Sequence, residues 1–275
     1  MHLNDMGSVW LRRFAVLVAC CTFLLVIAGG LVTSNDAALS VPDWPLAWGR
    51  LIPPLEGGIV YEFGHRVVAA TVGLMTLALA IWMHRAEPRA WVRRLGWMAV
   101  GTVAAQVLLG GVVVKFVDPK WASVSHACLG QLFFGVTIVV AQALRCGSKG
   151  QAGRPTPLLA AAAIFVQTIL GAAVRHNAAG LLPHVLGAGV ATIAVMWASL
   201  PILMAESEED RRRRPAVTLL SLTFSQVVLG MGAYISRLMT ADAPQPVPLM
   251  VWMTVAHVAV GSLAFGAALH MGTVA

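Results

Sequence analysis

The chain has 275 residues, of which 58% are hydrophobic and 11% are charged, and its formal net charge at pH 7 is +7. A water-soluble domain of this length has too small an interior to bury that much apolar surface. In a bilayer, an apolar stretch of about 20 residues spans the hydrocarbon core as a helix, because a helix satisfies its own backbone hydrogen bonds. The composition therefore excludes a soluble globular protein and predicts an all-α integral membrane protein.

Apolar stretches long enough to cross a bilayer cover nearly the whole chain. The eight predicted transmembrane helices span residues 11–33, 59–83, 92–115, 122–144, 156–175, 182–204, 215–237 and 248–272. The first stretch is longer than the apolar region of a signal peptide, and no cleavage site of small residues follows it. We therefore expect it to be a retained helix.

The distribution of Lys and Arg predicts how the helices are oriented. These residues concentrate in the N-terminal segment and in the connections that follow helices two, four and six, for example Arg211–Arg214. Short loops rich in Lys and Arg face the cytoplasm. We therefore expect a multi-pass protein of the inner (plasma) membrane with both termini cytoplasmic. This distribution explains the positive net charge without a nucleic-acid partner.

A helix hairpin carrying one histidine repeats four times along the chain. Helices three, five and seven contain the pattern Gln-x-x-Leu-Gly at 106–110, 167–171 and 226–230, whereas helix one has only Gly29-Gly30 at the corresponding end. The following helix of each pair carries a histidine near its outer end, and these are His65, His126, His184 and His257. The repeat predicts two pseudo-symmetric four-helix bundles, residues 1–150 and 151–275.

The histidine pattern favours haem over a bare metal ion. One imidazole from each of two facing helices suits bis-histidine haem, whereas zinc and di-iron sites need a compact ligand set or further carboxylates. Two bundles then predict two sites, His65 with His126 and His184 with His257. The residue four positions after each histidine is small, which leaves room for a macrocycle or, alternatively, for close helix packing. These residues are Ala69, Gly130, Ala188 and Gly261.

A single acidic residue distinguishes the two predicted sites. Glu62 lies within a predicted span, one helical turn from His65, and no acid accompanies His184 or His257. This difference predicts proton-coupled chemistry in the first half and an electron-transfer or structural haem in the second. An ion pair with Arg66 is the alternative role for Glu62.

Three arginines lie near the predicted outer helix ends. They are Arg66, Arg175 and Arg237. Each is a candidate partner for a haem propionate or, equally, an interfacial anchor. The long first outer loop contains Pro42-Asp43-Trp44-Pro45 and Trp48. Its two tryptophans belong either to an interfacial aromatic belt or to a lid over a pocket.

The segment Glu62-Phe63-Gly64-His65-Arg66 resembles the Glu-Phe-x-His-Arg signature of the haem A synthase family. The end of helix one, Gly29–Val32, and the Pro42–Pro45 segment are also similar to that family. The resemblance implies oxidation of a ring methyl of haem O, through a hydroxymethyl haem, to the formyl group of haem A. It also implies the substrate haem at His65 and His126, haem b at His184 and His257, and Glu62 as the essential glutamate.

Partners follow from the same resemblance. They are haem O, membrane lipid, an electron acceptor and the prenyltransferase that makes haem O. One departure is that the first outer loop lacks the cysteine pair of many bacterial members, so no thiol chemistry can operate there. In addition, His257 follows Pro248 by nine residues, which predicts a deeper position unless helix eight extends beyond the membrane.

Two other classes of protein stay open at this point. A di-haem electron carrier of the b type would need the histidines but not Glu62. A transporter would place its polar residues near the bilayer midplane, whereas here they cluster at the outer edge.

Overall fold

A computed structural model of the chain describes residues 3–145, 155–205 and 212–273, with side chains from residue 8 onwards. These residues form eight α-helices and one isolated β-bridge, between Ala47 and Arg50. The helices are α1 (Leu3–Ser34), α2 (Gly58–Ala86), α3 (Ala90–Lys115), α4 (Lys120–Arg145), α5 (Pro155–Arg175), α6 (Leu181–Met204), α7 (Arg213–Met239) and α8 (Pro248–Thr273).

Every predicted transmembrane stretch coincides with one of these helices, and each helix in the described part of the chain is long and apolar enough to span a bilayer. Large apolar side chains also point outward from them, including Leu74, Ile193 and Phe224, which are 69%, 68% and 72% exposed. So broad an apolar exterior suits a surface in contact with lipid. The all-α, eight-span fold is confirmed, and the protein is a multi-pass membrane protein.

Consecutive helices pack side by side, and each set of four closes on itself. In the first half α4 returns to α1, and in the second half α8 returns to α5. The halves meet through α1, α4, α5 and α8. The domain boundary near residue 150 stays a prediction, because residues 146–154 lie outside the described part. Arg211 and the basic residues Lys149 and Arg154 also lie outside it.

Helices α4 and α8 cross through a reciprocal contact of phenylalanine and glycine. A Cβ at Gly135 would lie 2.7 Å from the Phe265 ring, and a Cβ at Gly266 would lie 3.4 Å from the Phe134 ring. Each Phe-Gly pair begins eight residues after its helix's histidine. The interface between the halves therefore follows the same repeat as the histidines.

Candidate haem-binding site

The structure brings the four predicted histidines together as two pairs. The ring centres of His65 and His126 lie 6.5 Å apart, and those of His184 and His257 lie 6.2 Å apart. Each pair joins alternate helices of one bundle, α2 with α4 and α6 with α8. Helix α8 begins at Pro248, nine residues before His257, and its imidazole pairs with that of His184.

The spacing within each pair suits a metal between two imidazoles. With a metal–nitrogen bond of about 2 Å, two axial imidazoles place their ring centres about 6 Å apart. Among the described residues, no group of three or more His, Cys, Asp or Glu side chains could hold a metal ion. A pair of histidines therefore fits a cofactor that supplies the other ligands itself, as a haem does through its four pyrrole nitrogens.

Each imidazole lies against a glycine on the preceding helix. A Cβ built on these glycines would lie close to the histidine Cε1, at 3.2 Å for Gly29 and His65, 3.2 Å for Gly110 and His126, 3.0 Å for Gly171 and His184, and 2.8 Å for Gly230 and His257. Any larger residue would push the imidazole out of place. Each of these glycines sets the position of one ring, and we call it the cradle of that histidine. The glycines were evident in the sequence repeat, but their contact with the imidazoles was not predicted. The sequence feature that could have predicted this contact is a glycine at the same repeat position in α1, α3, α5 and α7.

The repeated glutamines form interhelical hydrogen bonds to the histidine-bearing segments. Gln106 and Gln167 each donate from Nε2 to the backbone carbonyl of the facing histidine, His126 and His184, at 2.8 Å. Gln226 Nε2 lies 3.3 Å from His257 Nε2. This geometry confirms packing with an interhelical hydrogen bond as the role of the Gln-x-x-Leu-Gly pattern.

Two of the small residues after the histidines make room for these glutamines. A Cβ at Gly130 would lie 3.1 Å from Gln106 Nε2, and a Cβ at Gly261 would lie 2.8 Å from Gln226 Nε2. Close helix packing therefore accounts for both glycines in the structure.

The two histidine pairs differ in what contacts the ring nitrogen Nδ1. In the second half, His184 Nδ1 lies 2.9 Å from Gln167 Nε2, and His257 Nδ1 lies 3.1 Å from the carbonyl oxygen of Gln226. In the first half, Nδ1 of both His65 and His126 is buried without a partner among the described residues. Leu25 occupies the position in α1 where the other odd helices carry glutamine.

Glu62 is buried, with 6% of its surface exposed, and both of its carboxylate oxygens are bonded. Oε1 accepts a hydrogen bond from Arg66 Nη2 at 2.6 Å, and Oε2 accepts one from the backbone N–H of Val41 at 2.8 Å. The ion pair that was the alternative role for Glu62 is therefore formed. The same carboxylate also binds the first outer loop one turn from His65.

Arg66 points into the first outer loop. Its Nη1 donates to the carbonyl oxygens of Asp43 and Leu46 at 2.8 and 3.0 Å, and its Nη2 donates to that of Val41 at 3.0 Å. The Asp43 carboxylate accepts the N–H groups of Trp48 and Gly49 at 2.6 and 2.7 Å. These bonds, led by that from Gly49, hold the pKa of Asp43 below its usual value.

The other two predicted arginines lie at the outer ends of α5 and α7. Arg175 Nη2 donates to the carbonyl oxygen of Thr33, and its Nε is buried without a partner among the described residues. Arg237 is exposed in the last turn of α7 and lies within electrostatic range of Arg175. Arg175 therefore links the outer end of α5 to α1 of the first half.

Comparisons with known proteins agree with this arrangement. Residues 58–183 match the model of the family described as cytochrome oxidase assembly protein (COX15-CtaA). A haem A synthase of Symbiobacterium thermophilum is 29% identical over 80% of this chain and 84% of its own length. A haem A synthase of Methylobacterium sp. (strain 4-46) is 30% identical over 48% of this chain and 41% of its own length.

A third relative has a different name. A protoheme IX farnesyltransferase of Haloarcula marismortui is 30% identical over 54% of this chain but only 32% of its own length. The aligned part is therefore a minor portion of that protein. The family model covers α2 to α5 and the first residues of α6, and the match includes His65 and His126. Over these residues the chain is similar to that family, and over most of its length it is similar to a haem A synthase.

Proposed function

We propose that this protein is a haem A synthase, an oxidoreductase that converts a ring methyl of haem O, through a hydroxymethyl group, to the formyl group of haem A. The observation that carries the proposal is the inequality of the two histidine pairs. Both pairs have the spacing of bis-histidine haem ligands, but only the first has a buried carboxylate one helical turn away. An electron carrier needs both pairs and has no use for that carboxylate.

In this proposal the substrate haem binds between His65 and His126, and haem b binds between His184 and His257. The glycine cradles support both assignments, because they set each imidazole in place before any ligand binds. The carbonyl oxygen of Gln226 can accept a hydrogen bond from Nδ1–H of His257, which is the contact that orients a metal-bound imidazole, whereas the amide N–H of Gln167 donates to Nδ1 of His184. The first half lacks both contacts, which suits a haem that must enter and leave.

Glu62 is the proposed catalytic residue. With the oxygen atom counted as coming from water, conversion of the methyl to a hydroxymethyl group releases two protons and two electrons, and oxidation of the hydroxymethyl to the formyl group releases two more of each. The carboxylate accepts protons there, and its bonds to Arg66 and to the N–H of Val41 hold it in a fixed orientation. A haem bound between His184 and His257 would supply the relay of these electrons toward an acceptor in the membrane.

The three arginines differ in how freely they could bind a haem propionate. Arg175 and Arg237 are the proposed partners in the second half, since both lie at outer helix ends and Arg175 Nε has no bond among the described residues. Arg66 binds a propionate only if it releases the carbonyl groups of the first outer loop. We therefore assign Arg66 mainly to that loop.

We further propose that both termini face the cytoplasm and that the protein lies in the plasma membrane, as the distribution of Lys and Arg favours. Haem O is supplied by a prenyltransferase. The relative from Haloarcula marismortui supports this partner, because a protein named as a farnesyltransferase contains a segment similar to this chain.

Expression with and without a prenyltransferase that makes haem O tests the proposal. Haems extracted from the purified protein are separated by chromatography. We expect haem A and its hydroxymethyl precursor only in cells that make haem O. Haem b and haem O without any oxidised product would instead identify a b-type electron carrier, which the similar spacing of the two pairs would also suit.

A further inference from the structure

Trp44 of the first outer loop packs on α3 at the depth of His126. A Cβ at Gly111 would lie 3.1 Å from two atoms of the Trp44 ring, so the indole covers the bare backbone of that glycine. The neighbouring residue, Gly110, forms the cradle of His126. Successive residues of a helix differ in height by about 1.5 Å. The indole and the imidazole therefore contact the same turn of α3.

Arg66 fixes the backbone on both sides of Trp44. The carbonyl groups that it binds through Nη1, those of Asp43 and Leu46, flank the Trp44-Pro45 dipeptide. Arg66 directly follows His65 in α2, and the carboxylate of Glu62 anchors the start of the same segment at Val41. A single helix thus carries a haem-ligand candidate, the proposed catalytic acid and the anchor of the indole.

Two axial histidines leave one degree of freedom open. They fix the iron and the axis through it, but a macrocycle can rotate about that axis. Oxidation of one particular ring methyl requires one rotational orientation, with that methyl near Glu62. A rigid aromatic side chain beside the ligand axis supplies this restriction through contact with the edge or face of the macrocycle.

We infer that Trp44 orients the substrate haem, forming a side wall of the His65–His126 site that determines which ring methyl faces Glu62. The inference rests on the proposed function. The second half agrees with it by contrast, since the equivalent connection in the repeat, residues 176–180 between α5 and α6, contains no Phe, Tyr or Trp. A haem that only relays electrons has no methyl to select.

Trp44→Ala and Gly111→Ala test this role. The first removes the wall, and the second adds a methyl group that the indole must move to accommodate. Matched controls are Trp48→Ala, in the same loop with its side chain 55% exposed, and Gly101→Ala, on α3 with open space around it. The full-length protein is coexpressed with the prenyltransferase that makes haem O, and its haems are quantified.

We expect both test variants to keep bis-histidine spectra but to yield at least about tenfold less haem A per bound haem O than their controls. The Soret circular dichroism of bound haem O should also change, because it reports haem orientation whether or not conversion occurs. Yields and dichroism equal to those of the controls would overturn the inference. If the unaltered protein makes no oxidised haem, the proposed function fails, and the dichroism alone decides the role of Trp44.

Discussion

The two halves of this protein share one framework and differ in what surrounds it. Each half holds an imidazole pair about 6 Å apart with each ring against a glycine. The first half adds a buried carboxylate, a loop bound to α2 and an indole beside the ligands. The second half adds hydrogen-bond contacts at Nδ1 of both imidazoles. In the proposed function, these few neighbouring residues make one repeat into a substrate site in the first half and a cofactor site in the second.

The largest effect should come from removing the acid that only the first half has. Glu62→Gln keeps the size of the side chain but cannot accept protons, so we expect haem A formation to fall by a factor on the order of 100 or more. The haem b spectrum of the second half should be unchanged. Quantification of extracted haems measures the effect. The control is Glu56→Gln, in the first outer loop just before α2. Normal haem A formation by Glu62→Gln would remove the proposed difference between the halves.

The glycine cradles can be broken in one half at a time. Gly230→Ala would place a Cβ 2.8 Å from Cε1 of His257, so we expect loss of the b-type spectrum while haem O still binds in the first half. Gly232→Ala is the control, because its Cβ would meet only Met253 Sδ at 3.4 Å. Visible spectra of the purified variants give the answer, and an intact b-type spectrum in Gly230→Ala would reject His257 as a ligand.

The contacts at Nδ1 can be removed from one half and added to the other. Gln167→Leu removes the partner of His184, and we expect haem b retention to weaken about tenfold. Leu25→Gln offers the first half a glutamine next to His65, whose Nδ1 has no partner among the described residues, and a hydrogen bond there should shift the reduction potential of the haem it binds. Redox titration and competition with a haem-binding protein measure these changes. If neither variant differs from the unaltered protein, the contacts at Nδ1 do not distinguish the halves.

The smallest effect is expected where the halves meet. Gln131 on α4 donates to Ser262 on α8 at 2.7 Å, and both side chains are buried. Polar pairs between membrane helices contribute about 0.6 kcal/mol on average. A double-mutant cycle of Gln131→Leu and Ser262→Ala, followed by thermal unfolding in detergent, should give a coupling of about that size. A coupling near zero would show that the Phe-Gly contacts alone hold α4 against α8.

Much of the fold could be predicted because lipid allows few solutions. Apolar stretches of sufficient length must form helices in a bilayer, so all eight spans were correct to within a few residues except at the start of α1, which extends back to Leu3. The pairing of the histidines also followed from the repeat. The placement of each ring did not, because each imidazole lies against a glycine of the preceding helix, and that contact depends on how the two helices pack.

Sequence by itself determined the residue types of the candidate site, namely four histidines, one membrane acid and the glycines of the repeat. Only the tertiary structure decided what each contacts. It placed the glycines against the imidazoles, joined Glu62 to the first outer loop and set Trp44 on Gly111. The physical reason is that helical periodicity is a local property, whereas contacts between a loop and a distant helix depend on how the helices pack together.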